Sequence, residues 1–422
     1  MILEFSVENF KSIKDKATLS FEATSDTTNE DVHVVEIDNL RILKIGAIYG
    51  ANASGKTNLL LALEFLRDFI INSSTTLRPN EENFFIPFLF DNDGKNNPGI
   101  FRLSFFIEQI KYEYELHLDS QIVLNEKLYY SPKGQRKRIY ERTFDRNINQ
   151  YTYLWGSTIR IDEKLVEKSR KNIPFLSSIV QLVDHSELKR VYDWFEGSIM
   201  PMIHPGNQGL INFTMNRIDL NSESKKTILD ILAIADMGNV IDIDIESNEI
   251  PDEILKNLDD KIKNSVRTST GKYIIKNTLL MHQYNNLVIP LVLDSESKGT
   301  QRYFELAGPL EILKNENIFL SMDELESSLH SELQEFILTY FLKHSKPQSQ
   351  LLFTTHNVQL MDSSLLRRDE IWFAEKNNNT GGSEYYSLSD IKGTRKEGSF
   401  RKQYLAGKYG ALPVLKNFQE ED

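Results

Sequence analysis

The stretch that decides the fold begins with Ile42-Leu43-Lys44-Ile45-Gly46-Ala47-Ile48-Tyr49 and runs on through Gly50-Ala51-Asn52-Ala53-Ser54-Gly55-Lys56-Thr57. Asn58-Leu59-Leu60-Leu61-Ala62-Leu63-Glu64-Phe65-Leu66 follows. The first piece is short and apolar, as a buried strand is, and the third has the leucine-rich composition of a helix. Between them the fixed positions of G-x-x-x-x-G-K-[ST] are all filled. Gly50 and Gly55 let the backbone curl so that its N–H groups converge, and the positive end of the following helix aims at the same point. Such a turn cradles phosphate. Lys56 is placed to reach the β- and γ-phosphates and the Thr57 hydroxyl to ligate Mg²⁺, with the run from Gly50 to Asn58 binding the nucleotide.

A phosphate loop of this kind needs an acid at the end of another buried strand. Ile318-Phe319-Leu320-Ser321-Met322-Asp323-Glu324 supplies it. Asp323 is expected to hold Mg²⁺, and Glu324 to polarise the attacking water as general base. The two motifs lie far apart in the chain, so a large insertion separates the halves of the nucleotide-binding domain. The Asn-Lys-x-Asp motif that reads guanine is absent from the sequence, which favours ATP over GTP.

Leu351-Leu352-Phe353-Thr354-Thr355-His356-Asn357 is a further apolar strand, ending in a histidine. One strand after the paired acids, His356 is expected to contact the γ-phosphate, as a third catalytic group beside Glu324 and Lys56. Ser297-Lys298-Gly299-Thr300-Gln301 opens a helical run, and a Ser and a Gly at a helix start make an anion site. Ser297, Gly299 and Thr300 are its candidate contacts.

The rest of the chain sorts by periodicity. Leu3, Phe5 and Val7 alternate with Glu4, Ser6 and Glu8 as in a half-buried strand, and Ile110 to Leu118 repeats the pattern. Residues 84–155 read as antiparallel sheet, broken by turns at Asn92-Asp93-Gly94 and at Ser131 to Gly134. Residues 162–235 read as helical, strands return at Val240–Ile245 and Lys272–Leu280, and beyond residue 318 strands alternate with helices, as a parallel sheet requires.

Composition excludes whole classes. The 422 residues contain no cysteine and carry a formal net charge of −12. Disulfide scaffolds, thiolate metal sites and cysteine nucleophiles are therefore ruled out. No apolar run reaches the ~20 residues of a membrane span, and the start carries Glu4 where a signal peptide is basic. A cytoplasmic protein with no membrane partner is the expectation. Positive charge gathers at Lys133, Arg136, Lys137, Arg138 and Arg142, and in the tail at Arg395, Lys396, Arg401, Lys402 and Lys408. The first group reads as a solvated hairpin or a nucleic-acid contact, the second as surface or as a docking or capping segment.

Taken in order, these elements resemble the ABC-type ATPases of the SMC/RecF/OLD group. Glu8-Asn9-Phe10-Lys11-Ser12-Ile13 is similar to that group's opening motif, which implies that Lys11 lies near the nucleotide. Asp323-Glu324-Leu325-Glu326-Ser327-Ser328-Leu329-His330 is similar to its acid pair and the loop after it. More closely, the chain resembles the stand-alone ATPases of bacterial phage-defence operons, the RloA or AbiLi type. The matching pieces include Phe21-Glu22-Ala23, Glu296 to Thr300, Phe353 to Asn357 and the tail from Tyr404 to Pro413. Lys298 and Thr300 depart from the two glycines that transporters prefer, and Gln109, in a strand, is a doubtful nucleotide-loop glutamine.

The resemblance implies an α/β fold: an ABC-type P-loop head with a mixed or antiparallel lobe, a parallel-sheet lobe and a helical insertion. The expected divisions are 1–160 for the lobe with the phosphate loop and 161–265 for a mainly helical insertion. Residues 266–422 would form the lobe with the signature, the acid pair and His356. It implies ATP and Mg²⁺ as cofactors, and a homodimer or higher even-numbered oligomer with ATP sandwiched between heads. The implied role is sensor and regulator of a separately encoded effector, nuclease first among candidates, in abortive-infection defence; a nucleic-acid or phage trigger stays open. The competing expectation is a RecF- or SMC-like ATPase that binds DNA in repair or recombination. The stretch after His356 is too short for the Toprim nuclease of the OLD type, no Arg stands at ribonuclease spacing before any His, and Asp242 and Asp244 also fit a plain strand edge. The chain is thus expected to leave nuclease chemistry to another protein.

Overall fold

The computed structural model describes the chain except for residues 91, 167, 235–238, 257–258, 260–262, 264–266, 268–270, 394–398 and 414–422. It divides into two compact units. The first holds Met1–His204, Glu316–Glu326 and Gln334–Asp422; the second holds Pro205–Asn315 and Ser327–Leu333.

The first unit has two main sheets. One is antiparallel, with strands β1 (Ile2–Glu8), β2 (Ala17–Ser20), β6 (Gly99–Ile107), β7 (Ile110–Leu118), β8 (Val123–Ser131), β9 (Lys137–Asp145) and β10 (Gln150–Trp155) in the order β10-β9-β8-β7-β6-β1-β2. The expected antiparallel region is therefore present, and β7 buries Tyr112, Tyr114, Leu116 and Leu118 on one face as its alternation requires. A short two-stranded ribbon, β3 (Val34–Ile37) with β4 (Leu40–Leu43), follows β2 in the chain.

The other main sheet is β5 (Ile45–Tyr49), β14 (Phe319–Met322), β15 (Gln350–Thr354), β16 (Ile371–Lys376) and β17 (Ser383–Ser387), ordered β14-β15-β5-β16-β17. The first four are parallel and β17 runs antiparallel on β16. Strands β5, β14 and β15 are buried along their whole length, which is why they read as unbroken apolar runs. This is the α/β architecture expected from the sequence, with an antiparallel sheet and a mainly parallel one.

Local expectations shift in several places. β1 is central, between β2 and β6, so even Ser6 is buried and the strand is not half-buried. Asn92–Asn96 forms a short helix where a turn was expected. Gln109 sits in the turn joining β6 to β7, outside either strand.

The divisions at 160/161 and 265/266 also differ from the compact units. Residues 161–204 belong to the first unit because the helix Ser186–Gly197 is anchored there by its aromatic face. Trp194 stacks on Phe105 at 4.0 Å, and Phe195 meets Tyr114 edge-on at 5.8 Å. The signature region belongs to the second unit, while the acid pair and His356 belong to the first.

The second unit is not purely helical. Helices Gln208–Leu220, Ser222–Ile234 and Lys298–Ile312 accompany a sheet of β11 (Val240–Glu249), β12 (Ile274–Tyr284) and β13 (Leu287–Val292). Glu311, 1% exposed, ties the three helices together by accepting from Arg217, Ser224 and Asn315. At the edge, every residue of β13 is exposed, although its sequence is Leu-Val-Ile-Pro-Leu-Val. Among the described residues no helix is long and apolar enough to cross a membrane.

Candidate nucleotide site

Three strand ends converge. In an open parallel sheet, ligands are met at the carboxyl ends of the strands. Here β5 ends in the Gly50–Gly55 loop, β14 in Asp323-Glu324, and β15 in Thr355-His356.

The loop is too closely packed for side chains at its glycines. A Cβ at Gly50 would lie 2.3 Å from the Ala374 carbonyl oxygen of β16. At Gly55, φ is +101° and a Cβ would come 2.1 Å from Ser383 Oγ. Gly55 then caps the helix Lys56–Thr76. The cap is braced from β17: Tyr385 donates its hydroxyl to the Gly55 carbonyl at 2.7 Å, and Ser383 Oγ meets Ser12 Oγ at 2.7 Å. Ser12 in turn accepts from Asn58 Nδ2 at 2.6 Å. The opening motif thus touches the loop through Ser12. Lys11 has φ 50° and stands over the Phe10 ring at 5.8 Å.

Lys56 has three N–H donors and three acceptors: the Gly50 and Ala51 carbonyls at 3.0 and 3.1 Å, and His356 Nε2 at 2.8 Å. Burial pulls its pKa down, and Glu326, Asp323 and Glu324 partly restore it. His356 is likewise held below its ordinary value, by burial first and the Lys56 ammonium second. The imidazole is therefore neutral near pH 7, with Nε2 free to accept.

Thr57 donates to both oxygens of Asp323, at 2.9 and 3.2 Å. Thr354, at the end of β15, donates to Asp323 Oδ1 at 2.7 Å and accepts the Glu324 N–H at 2.8 Å. Glu324 is exposed and left-handed, with φ 50°. Next to the loop, a cavity of ≈ 480 Å³ is lined by Tyr49, Gly50, Asn52, His356, Tyr404 and Pro413 among others. The tail is held there by Tyr404, which stacks on Phe373 at 5.4 Å and donates to the Ala411 carbonyl at 3.0 Å.

The first unit therefore brings Lys56, Thr57, Asp323 and His356 into one bonded cluster, with Glu324 next to Asp323 in the chain. Ser297, Gly299 and Thr300 form a separate group in the second unit. There Ser297 caps the helix Lys298–Ile312 by accepting from Thr300 N at 3.1 Å, and a Cβ on Gly299 would stand 3.3 Å from the Ser328 carbonyl. The sequence reading missed Ser383, Tyr385, Thr354 and the bonding roles of Ser12 and Glu326. Only the hydroxyl run Thr354-Thr355 hinted at any of them.

The basic hairpin is not an open cationic patch. Arg142 is wholly buried against Glu126, Arg136 bonds Glu113 at 2.6 Å and stacks on Tyr129, and Arg138 bonds Glu141. Lys133 and Lys137 remain exposed. In the tail, Arg401 and Lys402 are exposed, Lys408 donates to Gln403, and Arg395 and Lys396 lie outside the described residues. Asp242 takes an ion pair from Lys225 at 2.7 Å, and Asp244 accepts the Ile245 N–H at 2.8 Å. Among the described residues, no cluster of three or more His, Cys, Asp or Glu is arranged to hold a metal.

No curated protein matches the chain. Among solved structures it is similar to the SMC head domain from Thermotoga maritima, at 13% identity, covering 92% of this chain and 98% of that one, with a TM-score of 0.43. It is also similar to the Smc head domain with an extended coiled coil bound to the C-terminal domain of ScpA, derived from Pyrococcus furiosus. That likeness has 12% identity, 97% and 98% coverage and a TM-score of 0.40. A family profile matches residues 45–362, from the strand before the phosphate loop to beyond His356. The chain belongs to that family, described as "AAA domain, putative AbiEii toxin, Type IV TA system".

Proposed function

We propose that the chain binds and hydrolyses ATP with Mg²⁺, as an ABC-type ATPase. The observation that carries this reading is the bonded set Lys56–His356 and Thr57–Asp323–Thr354, assembled from three strand ends. The N–H groups of Gly50 to Asn58 and the Lys56 ammonium cradle the phosphates. Mg²⁺ is a hard ion that takes oxygen ligands. The Thr57 hydroxyl and the Asp323 carboxylate, already in contact, would hold it, and it would neutralise charge developing on the phosphates. Glu324 takes the proton of the attacking water as general base, and His356 contacts the γ-phosphate from the end of β15.

In this reading Ser297, Gly299 and Thr300 meet the nucleotide of a second copy, so that ATP closes a homodimer or a higher even-numbered assembly. Lys11 lies on the nucleotide side through its neighbour Ser12. The wider role we propose, from the resemblance to the RloA and AbiLi type, is a cytoplasmic sensor that gates a separately encoded, nuclease-type effector in abortive-infection defence. The alternative kept beside it is a RecF- or SMC-like ATPase that binds DNA directly; at the hairpin, Arg136, Arg138 and Arg142 are paired with acids of the same sheet, while Lys133 and Lys137 are exposed.

The test is Glu324→Gln. It is expected to abolish hydrolysis while ATP binding persists, and to accumulate an ATP-dependent dimer measured by light scattering after gel filtration. A variant that turns over ATP normally would remove Glu324 as the base.

A further inference from the structure

Glu326 has no part in the reading above, yet it is bound into the site. Its Oε1 accepts the backbone N–H of His356 at 2.7 Å. Its Oε2 is buried without a hydrogen-bond partner, and so is the hydroxyl of Tyr49, the last residue of β5. Of the three acids that restore the Lys56 ammonium, Glu326 acts most strongly.

Its placement follows from one turn. Glu324, left-handed, sends the chain back toward β15, where Leu325 N bonds the Thr354 carbonyl at 3.0 Å and Glu324 N bonds Thr354 Oγ1. Two residues after Glu324, the Glu326 carboxylate arrives at the peptide of His356. That peptide lies past the end of the ladder. Thr355 N still reaches back to the Ile48 carbonyl at 3.0 Å, whereas His356 N reaches Glu326. The imidazole on Lys56 is thus carried by a peptide whose N–H is held by a charged acceptor, the stronger kind of hydrogen bond.

We propose that Glu326 is a positioning residue of the ATPase reaction, acting through His356. The proposal rests on the ATPase reading. The turn that presents the base also fixes the histidine at the end of the neighbouring strand, so the two groups keep one mutual geometry.

A positioning role and a charge role predict opposite orders of variants. Glu326→Gln keeps an oxygen that can accept the His356 N–H and loses the charge. Glu326→Asp keeps the charge and draws the oxygen back by one methylene. Steady-state ATP hydrolysis with Mg²⁺, on the full chain, reads kcat and KM for E326Q, E326D, E326A, H356A and E326A/H356A. The expected result is a kcat loss of about 100-fold for E326A, the scale of a 1 Å misplacement, with KM nearly unchanged. E326Q is expected to lose less than E326D, and the double variant to be no slower than H356A.

A kcat order with E326D above E326Q overturns the proposal, as do losses that multiply in the double variant or an E326A with wild-type kcat. If E326A fails to fold, the order of the Gln and Asp variants still decides. Wild-type turnover is measured beside them. An active wild type with the wrong order removes the positioning role alone, and a wild type that binds ATP without hydrolysing it removes the ATPase reading together with the proposal.

Discussion

Replacing Thr354 by Val tests how both acids of the site are held. Thr354 is fully buried, and its one hydroxyl donates to Asp323 Oδ1 at 2.7 Å while accepting the Glu324 N–H at 2.8 Å. Valine has nearly the same shape, so the packing of β15 is kept and only the hydroxyl is lost. A hydrogen bond to a charged group contributes about 1.5–3 kcal/mol. The Glu324 N–H borders an exposed residue and can turn to water, so its loss costs less. If the lost bond is needed to aim Asp323 at Mg²⁺ in the transition state, that range converts to a fall in kcat of about 10- to 100-fold. Asp323 keeps its bonds from Thr57, so the Mg²⁺ concentration for half-maximal activity should rise without metal dependence vanishing. The assay is phosphate release against Mg²⁺ at saturating ATP, with urea unfolding to check stability. Thr354→Ser restores the hydroxyl and should recover most of the rate. A T354V protein with wild-type kcat and wild-type Mg²⁺ dependence would refute the argument that one hydroxyl aligns the pair.

Other outcomes follow from the same geometry. His356 should titrate below 6.5, because burial and then Lys56 disfavour the imidazolium, and Lys56→Ala should move its midpoint upward; imidazole NMR reads both, and a midpoint above 6.5 would contradict the assignment. An unfolded histidine takes its proton near 6.5 while the folded one resists, so this group's contribution to stability is present above pH 6.5 and is lost as pH falls below it. Gly55→Ala should abolish nucleotide binding, since its Cβ would stand 2.1 Å from Ser383 Oγ at a φ of +101°; isothermal titration with ATP showing wild-type affinity would disprove the packing. Glu126→Ala strands the buried Arg142 cation and takes the acceptor from Tyr114 and Tyr140. It should cost about 3–5 kcal/mol in denaturant unfolding, and a loss under 1 kcal/mol would mean that Arg142 finds water.

The phosphate loop, the acid pair and the strand-end histidine were legible because each is a local pattern: glycine spacing, or an apolar run that ends in a polar group. The braces around them were not. Tyr385 reaches Gly55 across 330 residues and Ser383 reaches Ser12 across 371, and no local spacing encodes such meetings. The compact units cut the chain elsewhere than the expected bounds for a similar reason. Residues 186–197 are helical as read, but their allegiance is set by Trp194 and Phe195 against strands β6 and β7. Among the hairpin charges, Lys133, Arg136 and Lys137 are exposed as a solvated face requires, and only Arg142 departs from it, although a signal existed. Arg142 stands directly opposite Glu126 in the register of β8 and β9, so pairing the strands first would have buried the cation.

The exposed hairpin of the second unit has a consequence for assembly. Tyr284 pairs with Leu287 across a two-residue turn, and Gln283 sends its N–H the other way, to Asn239 on the β11 side. By alternation, Val288, Pro290 and Val292 direct their backbones to the open edge, and at its middle stands a residue with no N–H to give. An incoming strand would meet a gap in the ladder halfway along. Pro290 therefore works as a stop against sheet extension, the device by which edges avoid fusing with other chains. The apolar side chains of β13 stay free to be covered from above or below, but this edge of the sheet is closed to growth.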